Sequence, residues 1–276
     1  MPGFKKKIMK IKLLCLQIIG TAKQTVKEHR SSKNPIIRFG VSILYVLWNA
    51  ARTSIRVCID MDFRSILLLQ LLNSKNVHQT TSLTFMDRYP GIFSTCRDYF
   101  DGKQDLRILS YGCSTGEEVL TLRKYFPNAH IIGAEINKRS LAICRKLPVD
   151  EKITFLYSTN SEIQKHGPFD AIFCMAVLQR KPHHIAAKGI SSLKKIYPFE
   201  KFEQQIIKLD ELIQPQGLLV VHFTQYSLWD TSVASQYAAL DDYTQDDYKL
   251  PVFDKNSNLL KNPAPQNTIF IKLNKK

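Results

Sequence analysis

The chain is 276 residues long, 44% apolar and formally +15 at neutral pH, enough for one α/β domain with an appendage and too apolar for a disordered or collagen-like protein. Its six cysteines (Cys15, Cys58, Cys96, Cys113, Cys144 and Cys174) show no CxxC or Cys/His ligand spacing. Neither a disulfide framework nor a metal site is expected, and the pattern suits a reducing cytoplasm. The charge is uneven: residues 1–57 carry twelve Lys/Arg against the single acid Glu28. The segment 8–29 reads as an amphipathic helix through Ile11, Leu14, Ile18, Ala22 and Val26, broken at Ser31-Ser32-Lys33-Asn34-Pro35. A second helix is predicted over 36–57 and a third from Arg64 to Leu72. Lys12 interrupts the apolar run that follows Lys5-Lys6-Lys7, and the thirteen uncharged residues from Phe39 to Ala51 fall short of the about 20 needed to span a bilayer. Residues 1–79 are therefore read as a basic helical segment. It is either a cap with solvated lysines or a surface for anionic membrane; RNA is the weaker partner, because no aromatic side chains interleave with the lysines.

Residues 80–100 form a transition, with Pro90 opening a helix to Phe100. The central signal runs from Leu106 to Asn137. Leu106, Ile108 and Leu109 make a buried strand, Gly112-Cys113-Ser114-Thr115-Gly116 a tight turn, and Glu117-Glu118 open a helix whose positive end they offset. A second strand over Ile131–Ala134 ends at Glu135, nineteen residues after Gly116. Glycines allow close backbone approach, and a carboxylate at the second strand tip can accept both hydroxyl hydrogen bonds of a ribose. The loop lacks the third glycine of a pyrophosphate cradle, and its two glutamates would repel phosphate, so the pattern suits a cationic nucleoside such as S-adenosylmethionine.

Strand, loop and acid together resemble motifs I and II of the class I S-adenosylmethionine-dependent methyltransferases, and GCSTGEE resembles the chemotaxis-receptor glutamate methyltransferases within that superfamily. Further landmarks follow in order. Ile153–Tyr157 reads as a third strand ending at Ser158-Thr159-Asn160, where the resemblance places the adenine contact at Ser158 or Asn160. Gly167-Pro168-Phe169-Asp170-Ala171-Ile172-Phe173-Cys174-Met175 resembles motif IV. Gln214-Pro215-Gln216-Gly217 before Leu218–Val221 resembles the turn into the fifth strand. Phe199–Ile213 reads as a helix, 231–247 as another, and Leu250–Phe253 and Thr268–Leu273 as the closing strands.

The resemblance covers residues 80–276 and implies a three-layer Rossmann-like sheet, mostly parallel with the last strand antiparallel. It implies S-adenosyl-L-methionine as cofactor: Gly112, Cys113, Ser114, Thr115 and Gly116 for backbone approach, Glu117 for the methionine ammonium, Glu135 for the ribose, and Cys174, Met175 and Ala176 along the transfer site. Thr81-x-Leu83-Thr84-x-x-x-Arg88 resembles the receptor-methylating family's lead-in, which makes Arg88 a candidate active-site residue or, equally, a surface arginine beside Asp87. His222, at the fifth strand's tip, is either a base for the acceptor or a bonded strand-end histidine. His183 and His184 read as loop histidines. Met175-Ala176-Val177 stands where the receptor-methylating family has Arg-Asn-Val, which turns the expected acceptor from a protein glutamate toward a small molecule, lipid or glycan. A carboxyl methyltransferase and a non-catalytic module keeping the fold are the alternatives.

Overall fold

The computed structural model describes residues 34–274 except 75, 81–82, 241–242 and 246–249. The helix expected over 8–29 lies outside the described residues. The chain divides into two compact units between Arg64 and Ser65. In the first, helix α1 runs from Pro35 to Ile59 with Asn34 as its N-cap, the Asn34 Oδ1 accepting from the Ile36 N–H at 2.9 Å. No residue of α1 is buried. Helix α2 (Met61–Leu72) contains the boundary, with residues 65–72 belonging to the second unit.

The second unit is a seven-stranded sheet with strands β1 (Arg107–Tyr111), β2 (His130–Glu135), β3 (Ile153–Tyr157), β4 (Phe169–Met175), β5 (Ile213–His222), β6 (Tyr237–Ala239) and β7 (Ile269–Lys272). Their order is β3-β2-β1-β4-β5-β7-β6. The first five are parallel, and β7 runs antiparallel to both neighbours. The order reverses between β1 and β4, the switch point at which open α/β sheets gather ligands beyond the strands' carboxyl ends.

Both faces of the sheet are covered, so its strands are mostly apolar and β4 is buried at all seven positions. Side chains alternate between two cores. Ile108, Ile131, Ala171, Phe173 and Leu218 pack under helices α3 (Pro90–Tyr99), α4 (Glu117–Tyr125) and α5 (Lys138–Cys144) through Ile92, Phe93, Val119, Leu122 and Cys144. Leu109, Ile132, Ile172, Leu219 and Phe270 pack against α6 (Asn160–Gln164), α7 (Pro182–Ala187) and α8 (Phe199–Asp210) through Ile163, Ile185, Phe202 and Ile206. Each fully buried Phe or Leu here contributes about 1.5–3 kcal/mol, so the sheet is rigid enough to fix the loops at its edge.

Four expectations are corrected. The described residues of 231–247 do not form a helix: Thr231 Oγ1 donates to the Leu228 carbonyl at 2.7 Å, a short 3-10 turn covers Ala234–Gln236, and Tyr237–Ala239 joins the sheet as β6. Hydroxyl side chains bonding their own backbone compete with helix formation, and Tyr237 is captured by its hydroxyl, which donates to Asp210 at 2.8 Å. The expected strand Leu250–Phe253 is reduced to an isolated bridge between Phe253 and Leu259. Residues 182–187 form α7, not a loop, and α8 stops at Asp210 because Ile213 already pairs with Phe169. Helix α6, capped by the Thr159 hydroxyl, was not expected.

Candidate functional site

The site is assembled by loops leaving β1, β2 and β4 at the switch point. After β1 the chain turns sharply: the Gly112 N–H donates to the Ala134 carbonyl at 2.8 Å, and the Gly116 N–H donates to Cys113 at 3.0 Å. Gly112 and Gly116 both have positive φ, and a Cβ would lie 2.6 Å from Val177 Cγ2 in the first case and 2.5 Å from Leu147 Cδ1 in the second. Only glycine fits either position without displacing a packed side chain.

The β2 tip is tied to this turn. Glu135 is buried, and its carboxylate accepts from the Ser114 N–H at 2.8 Å and the Asn137 N–H at 2.6 Å. Burial raises its pKa, the two N–H groups only partly opposing the shift.

These elements wall a cavity of about 700 Å³, within the range of small-ligand sites. Of the residues predicted for the site, Arg88, Gly112, Cys113, Ser114, Glu135, Ser158, Met175 and Ala176 line it together. Thr115, Gly116, Glu117, Asn160, Cys174 and His222 do not. Gly116 packs against Leu147, and Thr115 donates its hydroxyl to Glu117 at 2.7 Å. Asn160 is exposed in the first turn of α6, and Cys174 points into the core on the sheet's other face. His222 is fully buried: its Nδ1 lies 3.2 Å from Thr268 Oγ1 and its ring packs edge-on against Tyr89. Desolvation, with the Arg88 charge nearby, drops its pKa to about 3, so the ring is neutral at ordinary pH.

Several lining residues were not singled out from the sequence. Glu118 replaces Glu117 at the cavity wall, because α4 carries successive residues about 100° apart and sets Glu118 and Thr121 on the cavity side. Glu118 accepts from Ser110 Oγ at 2.7 Å, and desolvation raises its pKa to about 7 against the opposing effects of that bond and of Arg88. Tyr89 lies beside Arg88 and its buried hydroxyl has no partner; the Ser114 hydroxyl is likewise unpartnered. The segment bearing Arg88 and Tyr89 is pinned to α4: the Asp87 N–H donates to Thr121 Oγ1 at 2.9 Å and Tyr125 donates to the Asp87 carboxylate at 3.0 Å. The Arg88 guanidinium lies 5.0 Å from the Tyr89 ring centroid and 5.9 Å from that of Phe223. The lining includes His78, whose Nδ1 is 2.7 Å from the Tyr197 hydroxyl, and Gln179, which donates to the Ala176 carbonyl at 3.0 Å. His183 and His184 also line the cavity.

Four lining residues other than glycine, Ser114, Ala176, Lys181 and Phe223, have positive φ, a conformation that collects at ligand sites. Among the described residues no group of three or more His, Cys, Asp or Glu side chains could hold a metal.

The chemistry of these donors and acceptors fits S-adenosylmethionine. A carboxylate held at the β2 tip can receive ribose hydroxyls, and a carboxylate at α4 can meet a cation.

No curated protein matches the sequence. Among solved structures the chain is similar to the plantazolicin methyltransferase BpumL in complex with SAH, at 15% identity over 61% of this chain and 56% of that one, with a TM-score of 0.37. It is similar to the SAM-bound amino pentose methyltransferase CalS10 from Micromonospora echinaspora, at 19% identity over 51% of each chain, with a TM-score of 0.36. It is also similar to WbdD, at 17% identity over 67% of this chain and 40% of that one, with a TM-score of 0.40. The chain thus spans about half the length of the solved structures it matches. Residues 108–196 match the sequence profile of the family described as a methyltransferase domain. The matched stretch runs from β1 to the loop beyond α7 and is similar to methyltransferase domains.

Proposed function

We propose that the protein transfers a methyl group from S-adenosylmethionine to a small molecule or lipid with an apolar body. The observation carrying this reading is the cavity at the strand tips, which Ser114, Glu118 and Glu135 line together with Arg88, Tyr89 and Met175. In this reading Glu135 and Ser114 hold the ribose, Ser158 lies toward the adenine, Glu118 faces the methionine ammonium, and Arg88 faces its carboxylate. Glu118 takes the role expected of Glu117, since Glu117 is engaged by Thr115 outside the cavity. The acceptor's apolar character is supported by Ile66, Leu69, Leu83, Phe85, Phe223 and Leu250, which line the remainder of the cavity.

Bound there, the cofactor supplies a methyl carbon on a sulfonium leaving group. The chain's own residues then have three tasks. Met175, Ala176 and Val177 form the floor at the β4 tip, and the Ala176 carbonyl is fixed by the Gln179 amide, so an acceptor's position is defined. Tyr89 and Phe223 stand between the cavity and His222 and exclude water from that side. The neutral, buried His222 supports those rings and does not reach the cavity, so an acceptor proton leaves to solvent or to a group on the open side.

Glu118 gives a pH signature with a defined sign. Its folded pKa, about 7, lies above the ordinary glutamate value of 4.5, so between those values the folded protein binds more protons than the unfolded chain. Stability from this group is present below the lower value and is lost as pH rises through the upper one. A cationic ligand favours the charged carboxylate, so affinity for S-adenosylmethionine should rise from about pH 6 to about pH 8 with release of a proton. Glu118→Gln should weaken binding at least about tenfold and flatten this dependence, corresponding to the loss of one charged contact. Calorimetric titration at several pH values in buffers of different ionisation enthalpy reads both effects.

The test of the function itself is calorimetric titration of S-adenosylmethionine and S-adenosylhomocysteine into the protein. Micromolar affinity, on the order of −8 kcal/mol, is expected for both. No binding by the folded protein would overturn the reading. Base-labile methyl esters on a partner protein, in a transfer assay with radiolabelled cofactor, would instead move the acceptor to protein carboxylates.

A further inference from the structure

Helix α1 exposes its apolar side chains along its whole length: Ile36 is 80% exposed, Phe39 70%, Val46 64%, Leu47 61% and Ile59 76%. Plotted at about 100° per residue, Arg38, Arg52 and Arg56 fall with Ser42, Tyr45 and Asn49 inside one arc of roughly 80°, and the aliphatic residues and Phe39 occupy an arc of roughly 220°. No acidic residue lies between positions 34 and 59. The helix is about 37 Å long, and no helix among the described residues is long and apolar enough to cross a membrane.

We propose that α1 lies in the surface of an anionic lipid bilayer, its apolar arc immersed among the acyl chains and its three arginines at the level of the headgroup phosphates. The pattern is that of an interfacial helix: a strong apolar face and a compact cationic face, opposed only by Asp60 at the C-cap, 3.3 Å from Arg56. Charge complementarity selects the lipid. Arg38, Arg52 and Arg56 all leave from one side, which a negative surface can meet at once, and the preceding 33 residues add nine Lys/Arg against Glu28. A second copy of the helix fits less well, since one neighbouring helix covers a stripe narrower than this apolar arc and two copies bring like charges together. Nucleic acid would satisfy the arginines and leave the apolar arc in water.

The experiment is co-sedimentation of the full chain with vesicles of phosphatidylcholine alone and with about one-third phosphatidylserine, at low and high salt. Binding to the anionic vesicles is expected, weakening as salt rises because the Debye length shrinks from about 30 Å at 0.01 M to about 8 Å at 0.15 M. Each arginine near the surface contributes about a fivefold factor, so the triple variant Arg38→Ala, Arg52→Ala, Arg56→Ala should partition about a hundredfold more weakly. Phe39→Asn with Leu47→Asn should also lose binding while keeping the arginines. Both variants change exposed residues, and unchanged thermal unfolding shows that the protein remains folded. Equal binding to both vesicle types, no vesicle binding, or an unaffected triple variant overturns the proposal. Lipid-independent dimerisation abolished by Phe39→Asn and Leu47→Asn would give the apolar arc to a second copy and also overturn it.

Discussion

Glu135→Ala should remove most of the affinity for S-adenosylmethionine, at least about thirtyfold, and lower stability at the same time. The first effect follows from charge-assisted hydrogen bonds to ribose hydroxyls, which contribute about 1.5–3 kcal/mol. The second follows from the structure alone. The carboxylate holds the Ser114 and Asn137 N–H groups, and each buried N–H left without an acceptor costs about 1–3 kcal/mol. Because Ser114 lies in the turn after β1 and Asn137 caps α5 through its own side chain, the variant loosens both ends of the β1–β2 tip. Glu135→Gln separates the effects: it keeps the side-chain size and a carbonyl acceptor but not the charge, and should retain most of the stability while binding the cofactor poorly. Titration calorimetry with parallel thermal unfolding reads the two losses independently. A folded Glu135→Ala protein with wild-type cofactor affinity would place the ribose elsewhere.

Lys272→Met is expected to produce the largest loss of stability, about 3–5 kcal/mol, from an uncompensated charge in a buried place. Lys272 on β7 pairs with Asp210 at the end of α8 at 2.9 Å, with both side chains about nine-tenths buried. The same carboxylate accepts from Tyr237 on β6, so one aspartate joins α8 to both antiparallel strands. Removing the lysine leaves the carboxylate with the tyrosine alone. For a domain of this size the midpoint of thermal unfolding should fall by about 6–20 °C. The double variant Lys272→Met with Asp210→Leu should recover a large part of that fall, since a buried ion pair replaced as a unit is often close to neutral. Recovery smaller than about 1 kcal/mol would assign the loss to packing of the lysine stem instead.

The sequence made the central sheet legible because β1, β2, β3 and β4 are continuous apolar runs bounded by turns, and the glycine turn with Glu135 has a spacing that few other structures require. The far edge was less legible. Val233, Tyr237 and Leu240 recur with helical spacing, yet Tyr237 pairs with Lys272 and is anchored by Asp210 some 27 residues earlier, a long-range contact that no local pattern reports. Within the site, the adjacent glutamates were indistinguishable by composition. Only the helix's rotation and the Thr115 hydroxyl decide that Glu118 faces the cavity. Tyr89 stood beside the noted Arg88, but its role depends on Asp87 fixing the segment to α4. His222 sits at the predicted strand tip, and its removal from the cavity follows from two aromatic rings, Tyr89 and Phe223, contributed by different parts of the chain.

The left-handed residues around the cavity bear on the kinetics of ligand capture. Ser114, Ala176, Lys181 and Phe223 each hold a conformation disfavoured by about 1–3 kcal/mol outside glycine, and the packed sheet beneath them sustains it in the free protein. A mouth already set in its final shape asks little ordering of an arriving molecule. Encounter should therefore be governed by diffusion and charge rather than by loop closure, and differences between related ligands should appear mainly in how long they stay.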